Sequence, residues 1–267
     1  MMTVDVIVTL SLFLWSAHGM CTSSVPLRLS QVVSSAVAIP VGGLYASLAY
    51  TLLKNGDQEA IVDREGHQKL FSSYIHPGDR VLEVGIGSGL SKNEEYYPKD
   101  VMLTGIDVTA GAAITESTAK SHDYTPILGN AEEMSMFADG QFDAVVSTFS
   151  MCTIPNPERA LREISRTMKK GGNFIAIEHV LAGVHKDRDR EKEGLLGALG
   201  FGLREQQELL DPLQQRAANG CHLTRQTDAL LKQMAASQYF SSVESLEYID
   251  FTTKWPINSQ VFAVLRK

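Results

Sequence analysis

Cysteine is scarce in this chain, and its scarcity removes several possibilities at once. The 267 residues include three cysteines, Cys21, Cys152 and Cys221. So few, so widely spaced, exclude a disulfide framework and offer no CxxC pair for a metal. No HExxH pattern occurs, and no metal is expected. Cys152, in an apolar context, reads as a buried small hydrophobe. Clustered basic residues are missing too. The chain has 24 Lys and Arg against 31 Asp and Glu, a formal net charge of −7. Without a long basic run, a nucleic-acid partner is not expected. Nor is there an uninterrupted apolar run of the ~20 residues that a membrane-crossing helix requires.

Two shorter apolar stretches lie near the N-terminus. Val4 to Ala17 (VDVIVTLSLFLWSA) is broken by Asp5 and followed by small residues up to Gly19. It resembles the apolar core of a signal peptide, without the usual preceding positive charge. Val32 to Leu53 contains Pro40, Gly42 and Gly43, which spoil a regular helix. Residues 1–55 are read as a targeting or membrane-association segment. Localisation at the endoplasmic reticulum or another organelle follows from that reading. The alternative is that Val32 to Leu53 packs on the domain as helices.

From Gly56 onward the pattern becomes regular, and residues 56–267 are read as one domain. Strands are predicted at Arg80–Val84, Val101–Ile106, Thr125–Leu128, Phe142–Phe149 and Asn173–Val180, with helical stretches between them. Continuous apolar strands alternating with helices indicate βαβ units and a parallel sheet. The best-marked helix is Pro157–Met168. Asn156 suits its N-cap, Pro157 its first position and Gly171 its stop. His185 to Glu193 is a run of mixed charge, read as a solvated helix face. Two further strands, Val243–Tyr248 and Gln260–Arg266, are joined by a short link containing Pro256. That link has no room for a helical crossover, so this pair is expected to be antiparallel.

The most informative stretch is VLEVGIGSGL, Val81 to Leu90. A phosphate loop of the GxxxxGK type does not match it. A dinucleotide turn of the GxGxxG type requires glycine at the position held by Leu90. The spacing is instead GxGxG, formed by Gly85, Gly87 and Gly89, with acidic Glu83 before it. A carboxylate there repels a pyrophosphate but suits the ammonium of S-adenosylmethionine. Glycines let the backbone approach such a ligand closely. Asp107 ends the second strand, about twenty residues on, where a nucleoside site places a carboxylate for ribose hydroxyls. It would equally serve a nicotinamide cofactor, or simply cap a turn. Asn130 and Ala131, after the third strand, can face an adenine ring, although Asn130 also suits a helix N-cap, with Glu132 and Glu133 in the first helical turn.

EVGIGSG, GID, GNAEEM, FDAVVSTF and PERALREISRTMKKGG together resemble a class I methyltransferase of the ubiquinone/menaquinone-biosynthesis type. EHV (178–180), DP (211–212) and GCHLTR (220–225) resemble the membrane-associated methyltransferase-like family that includes alkyl-thiol S-methyltransferases. The resemblance covers roughly Gly56 to Lys267. It implies a Rossmann-like α/β fold, a seven-stranded, mostly parallel sheet with an antiparallel last strand. It implies S-adenosylmethionine as cofactor, with Ser147 at the end of the fourth strand joining Glu83, the glycines, Asp107, Asn130 and Ala131 around it. The chain departs from the family in having Val108 and Thr109 where Pro and Asn usually follow the ribose-binding acid.

Methyl transfer from a sulfonium is an in-line displacement whose leaving group departs neutral. Orientation then supplies much of the rate, up to ~7–11 kcal/mol. A thiol acceptor profits from a base that raises its thiolate fraction. His179, near the carboxyl end of the fifth strand, and His222 are the candidates, with Asp211 to orient either of them. Side chains alternate on a strand, so Glu178 and His179 point to opposite faces. Phe149, Met151 and Trp255 are candidates for lining an acceptor pocket, though each also suits a plain core. The expected partner is a small or lipophilic substrate. A quinone or prenyl-lipid C-methyltransferase, a non-catalytic S-adenosylmethionine-binding protein and a nicotinamide-dependent oxidoreductase are the competing readings.

Overall fold

Side chains on successive residues of a strand point to opposite faces, and β1 (Arg80–Val84) shows what that does here. Val81 joins one apolar cluster, Leu82 and Val84 the other. The computed structural model describes residues 60–87, 93–109, 123–183, 200–251, 254 and 256–267. All lie within the unit Tyr50–Lys267. The expectations for residues 1–55, Gly89, His185 to Glu193 and Trp255 fall outside the described residues.

β1 is followed by β2 (Met102–Asp107), β3 (Asp123–Leu128), β4 (Phe142–Thr148), β5 (Met168–His179), β6 (Ser242–Asp250) and β7 (Ser259–Arg266). They form one seven-stranded sheet in the order β3-β2-β1-β4-β5-β7-β6. The first five strands pair in parallel, whereas β7 runs antiparallel to both β5 and β6. Pro126 is tolerated because β3 is an edge strand.

Helical residues 60–74 (α1) supply Leu70 and Phe71 to one face, against Val81, Val146, Ile177 and Phe262. α2 (Pro157–Thr167) covers the other with Ala160, Leu161 and Ile164. Asn156 caps α2, its side chain accepting from the Arg159 N–H at 2.9 Å. α3 (Leu203–Ala217) and α4 (Thr227–Ala235) follow β5, and α4 adds Leu231 and Met234 to the α2 side.

Two expectations need correction. β5 begins at Met168 rather than Asn173, and α2 therefore ends at Thr167. Met168 pairs with Phe142, and the Gly171 and Gly172 N–H and C=O groups bond Lys267. Tertiary pairing thus outweighs a segment that reads as a helix C-terminus. Pro212 lies inside α3. A proline there costs about 3 kcal/mol in a helix interior, and it sets Asp211 one turn before Gln215, which donates to it at 2.6 Å. Finally, residues 130–134 form a turn, with the Glu133 N–H on the Asn130 carbonyl at 2.9 Å, not the start of a helix.

Candidate functional site

The strand order reverses between β1 and β4, and their carboxyl ends open the crevice where such sheets bind ligands. The glycine turn lies at this crevice. Gly85 has φ +79°, and a Cβ there would fall 2.0 Å from the Ser150 hydroxyl oxygen. Gly87 has φ +69°, with no atom of the described residues within 4 Å of where its Cβ would project. The first glycine is required by crowding from inside the protein; the second meets no such crowding among the described residues. The Gly87 N–H donates to Asp107 Oδ2 at 2.8 Å. Asp107 Oδ1 accepts from the Thr109 N–H at 2.7 Å and its hydroxyl at 2.6 Å. The Val108-Thr109 departure therefore supplies its own means of orienting the acid at the end of β2.

Glu83 is 4% exposed. It accepts from Asn93 Nδ2 at 2.9 Å and from the Tyr97 hydroxyl at 2.8 Å. Asn93 also donates to the Thr148 hydroxyl at 2.8 Å, which joins β1 to the end of β4. Tyr124, on β3, is within the electrostatic reach of Glu83 and Asp107. Burial first, and those two acids second, push its phenol up to about 12. Its hydroxyl is buried with no hydrogen-bond partner among the described residues. Sequence reasoning missed Asn93, Tyr97 and Tyr124, because no spacing marks residues that reach a strand end from other elements.

Ala131 is buried in the core cluster, and Asn130 is exposed, its side chain accepting from the Glu132 N–H at 2.9 Å. Ser147 departs from expectation. It is fully buried, and its hydroxyl donates to Glu178 Oε1 at 2.7 Å, a contact within the core in place of a ligand contact. Glu178 also accepts from the backbone N–H groups of Ser150 and Met151, each at 3.2 Å. Complete burial raises the Glu178 carboxyl above the usual range. This one acid shapes the loop after β4, and that loop presses Ser150 against Gly85. Met151 is buried core; Phe149 is half-buried with φ +51°.

His179 turns the other way. It is 1% exposed, and its Nε2 is 3.1 Å from Cys221 Sγ. A ring that faces a protein thiol in the core is poorly placed to take a proton from a substrate, which corrects its role as candidate base. Cys221 and Cys152, remote in sequence, meet here: their sulfurs and the His179 nitrogen lie within 4.8 Å of one another. Cys221 is lowered to about 4, first by its hydrogen bond with Cys152 and, against burial, by His179. Cys152 is raised by the same bond, by burial and by nearby Glu178. His222 is different again. Its side chain is 39% exposed, with Nδ1 3.8 Å from Asp211 Oδ2. Asp211 thus lies near His222, at a distance longer than a hydrogen bond, while its oxygens accept from Gln215 Nε2 at 2.6 Å and the Thr224 N–H at 3.3 Å. The His222 N–H donates to the Cys152 carbonyl at 3.1 Å, two residues beyond Ser150.

Gly87, with no atom of the described residues beside it, and the Asp107 carboxylate lie at one strand-end crevice and suit an amino-acid nucleoside. The comparisons with known proteins agree. Residues 82–176 match a family described as "Methyltransferase domain". The chain is 26% identical over 218 residues, 80% of each chain, to human "Thiol S-methyltransferase TMT1A". It is 31% identical over 180 residues to the rat protein named "Thiol S-methyltransferase TMT1B", covering 66% of this chain and 65% of that one. A solved 1,6-didemethyltoxoflavin-N1-methyltransferase from Burkholderia thailandensis, with bound S-adenosylhomocysteine, shares the fold with a TM-score of 0.51, 11% identity and 92% coverage of both chains.

Proposed function

We propose that this chain, which is an S-adenosylmethionine-dependent methyltransferase, methylates a small or lipophilic thiol. S-adenosylmethionine supplies an electrophilic methyl group. Asp107, Gly85 and Gly87 would hold it, with Glu83 setting the Asn93–Tyr97 segment beneath the turn. The protein's remaining task is to orient an acceptor and remove its proton. The observation that carries the thiol reading is the Asp211–His222 pair, an imidazole that is partly exposed with a half-buried carboxylate nearby. It stands on the GCHLTR segment, whose backbone is bonded to the loop after β4. The resemblance to two thiol S-methyltransferases points the same way.

The size of the base's contribution is bounded. A thiol of pKa ~8.5 is only ~3% thiolate at pH 7, so full deprotonation gains at most ~30-fold. A screen with methyl-labelled cofactor against thiols, quinones, phenols and amines should label thiols. His222→Ala should slow that reaction by up to ~30-fold at pH 7 and progressively less above pH 8.5, where solvent removes the proton unaided. Labelling of a quinone with no thiol product would sink the reading. A His222→Ala defect that does not change with pH would remove the base.

Among the described residues no helix is long and apolar enough to cross a membrane. Association with a membrane is assigned instead to residues 1–55, where lipophilic thiols would be concentrated beside the enzyme.

A further inference from the structure

The buried cluster of Cys152, His179 and Cys221 has no part in the methyl-transfer chemistry above. Three features set it apart from ordinary core. Its donor set is soft: two thiols and an imidazole, whose donor atoms lie within 4.8 Å of one another. Its members are delivered by three separate elements, the loop after β4, the last residue of β5 and the segment between α3 and α4. And one polar atom within it, His179 Nδ1, is buried without a hydrogen-bond partner among the described residues.

The backbone holds the three donors in place before any ligand arrives. The Cys152 carbonyl accepts from the His222 N–H at 3.1 Å and from Arg225 Nη2 at 3.3 Å. The Leu181 N–H, two residues past His179, donates to the Arg225 carbonyl at 3.2 Å. Ahead of Cys221, Asn219 and Gly220 both adopt positive φ, +51° and +83°. Asparagine and glycine are the residues that tolerate this conformation. The Gly220 N–H donates to Gln215 O at 2.8 Å and the Cys221 N–H to Ala218 O at 2.9 Å. This sharp helix exit turns Cys221 inward to meet a histidine 42 residues earlier in the chain.

From this geometry we infer that Cys152, His179 and Cys221 form a site for a thiophilic d10 cation, zinc(II) or copper(I). Such ions bind thiolate at about 2.3 Å and imidazole at about 2.0–2.1 Å. Donors around one ion then stand roughly 3.5–4.0 Å apart in tetrahedral or trigonal geometry. The observed cluster closes to that size with shifts under about 1 Å. Each thiol that binds releases its proton to solvent. Two thiolates and a neutral imidazole around zinc(II) carry no net charge, which suits a site that excludes water. With copper(I) the net charge is −1, and three soft donors complete its shell.

The test uses the full chain, reduced and stripped with a chelator. Zinc(II) is titrated in competition with a chromophoric chelator, and copper(I) likewise under anaerobic conditions. Tight binding of one equivalent of either ion is expected, and which ion wins identifies the site's occupant. Cobalt(II) substitution should give thiolate-to-metal charge transfer of two-thiolate intensity. Cys152→Ser and Cys221→Ser should each halve that band and weaken binding by at least 100-fold, and His179→Gln should weaken binding without changing the band per bound metal. Retained S-adenosylmethionine binding in calorimetry will show that each variant is folded, and keeps this question separate from the thiol reading. The inference is overturned if wild type binds no more tightly than the double cysteine variant. It is equally overturned if the stripped, reduced protein, exposed to dioxygen, forms a Cys152–Cys221 disulfide with release of two protons and two electrons to dioxygen, and zinc(II) does not prevent it.

Discussion

Adding one methyl group at Gly85 and at Gly87 separates what the glycine turn does for the fold from what it does for the ligand. Both residues have positive φ, so alanine at either costs about 1–2 kcal/mol for the left-handed conformation. At Gly87 no further clash arises among the described residues, none of which has an atom within 4 Å of the new Cβ. At Gly85 the Cβ would stand 2.0 Å from Ser150 Oγ and 2.5 Å from Ser150 Cβ. Overpacking adds about 1–3 kcal/mol, and swinging the hydroxyl away breaks its 3.0 Å bond to the Val84 carbonyl. Gly85→Ala should therefore destabilise by about 2–5 kcal/mol, Gly87→Ala by about 1–2 kcal/mol. In a domain of this size Gly87→Ala then lowers Tm by about 2–8 °C. Cofactor binding should follow the opposite order. If the space beside Gly87 receives the ligand, its new methyl group stands in the ligand's place and affinity falls at least tenfold, about 1.4 kcal/mol. Thermal melts and calorimetry with S-adenosylmethionine on the same preparations decide it. Wild-type affinity in a folded Gly87→Ala would show that the ligand does not use this space, and the account of the turn would be wrong. Ser150→Gly should restore part of the Gly85→Ala loss, since it removes both clashing atoms.

Acid sensitivity should trace to Glu163. Arg166 grips both of its oxygens at 2.8 Å, and the Met134 N–H adds a bond at 2.7 Å. The Arg166 hydrogen bonds, against burial, hold the Glu163 carboxyl below its usual value. A lowered folded-state pKa contributes stability above the unfolded value of ~4.3 that disappears as pH falls through the folded one. Glu163→Gln should cost about 1–3 kcal/mol at pH 7, and its urea midpoint should converge on wild type below about pH 4. A gap of unchanged size at pH 3 would rule out this origin. For residues 1–55, the full chain should float with anionic phospholipid vesicles on a density gradient; recovery in the soluble layer at low salt would refute the assigned membrane association.

Much of the sheet was legible because buried parallel strands are short apolar runs, and FDAVVSTF or QVFAVLR can hardly be anything else. The places of the candidate cofactor residues in the fold were legible for a related reason. Residues at strand termini, such as Asp107 and the glycines, are placed by the topology itself. Met168–Gly172 misled because two lysines and two glycines look like a helix exit, and only the partners Phe142 and Lys267 make it a strand. Ser147 was misplaced because its use depends on Glu178, 31 residues away. Cys152 and Cys221 looked unrelated for the same reason. Side chains that meet across elements leave no period in the sequence, so neither a buried carboxylate's partners nor a soft donor set can be read from spacing.

The insertion of β7 between β5 and β6 has a consequence for how the chain is made. β5 ends at His179, yet the strand that pairs with it starts only at Ser259. At about 5–20 residues per second of synthesis, the 79 intervening residues take roughly 4–16 s to follow. Through that interval a nascent chain carries a twelve-residue strand whose apolar run, Phe174–Ile177, has one bare edge.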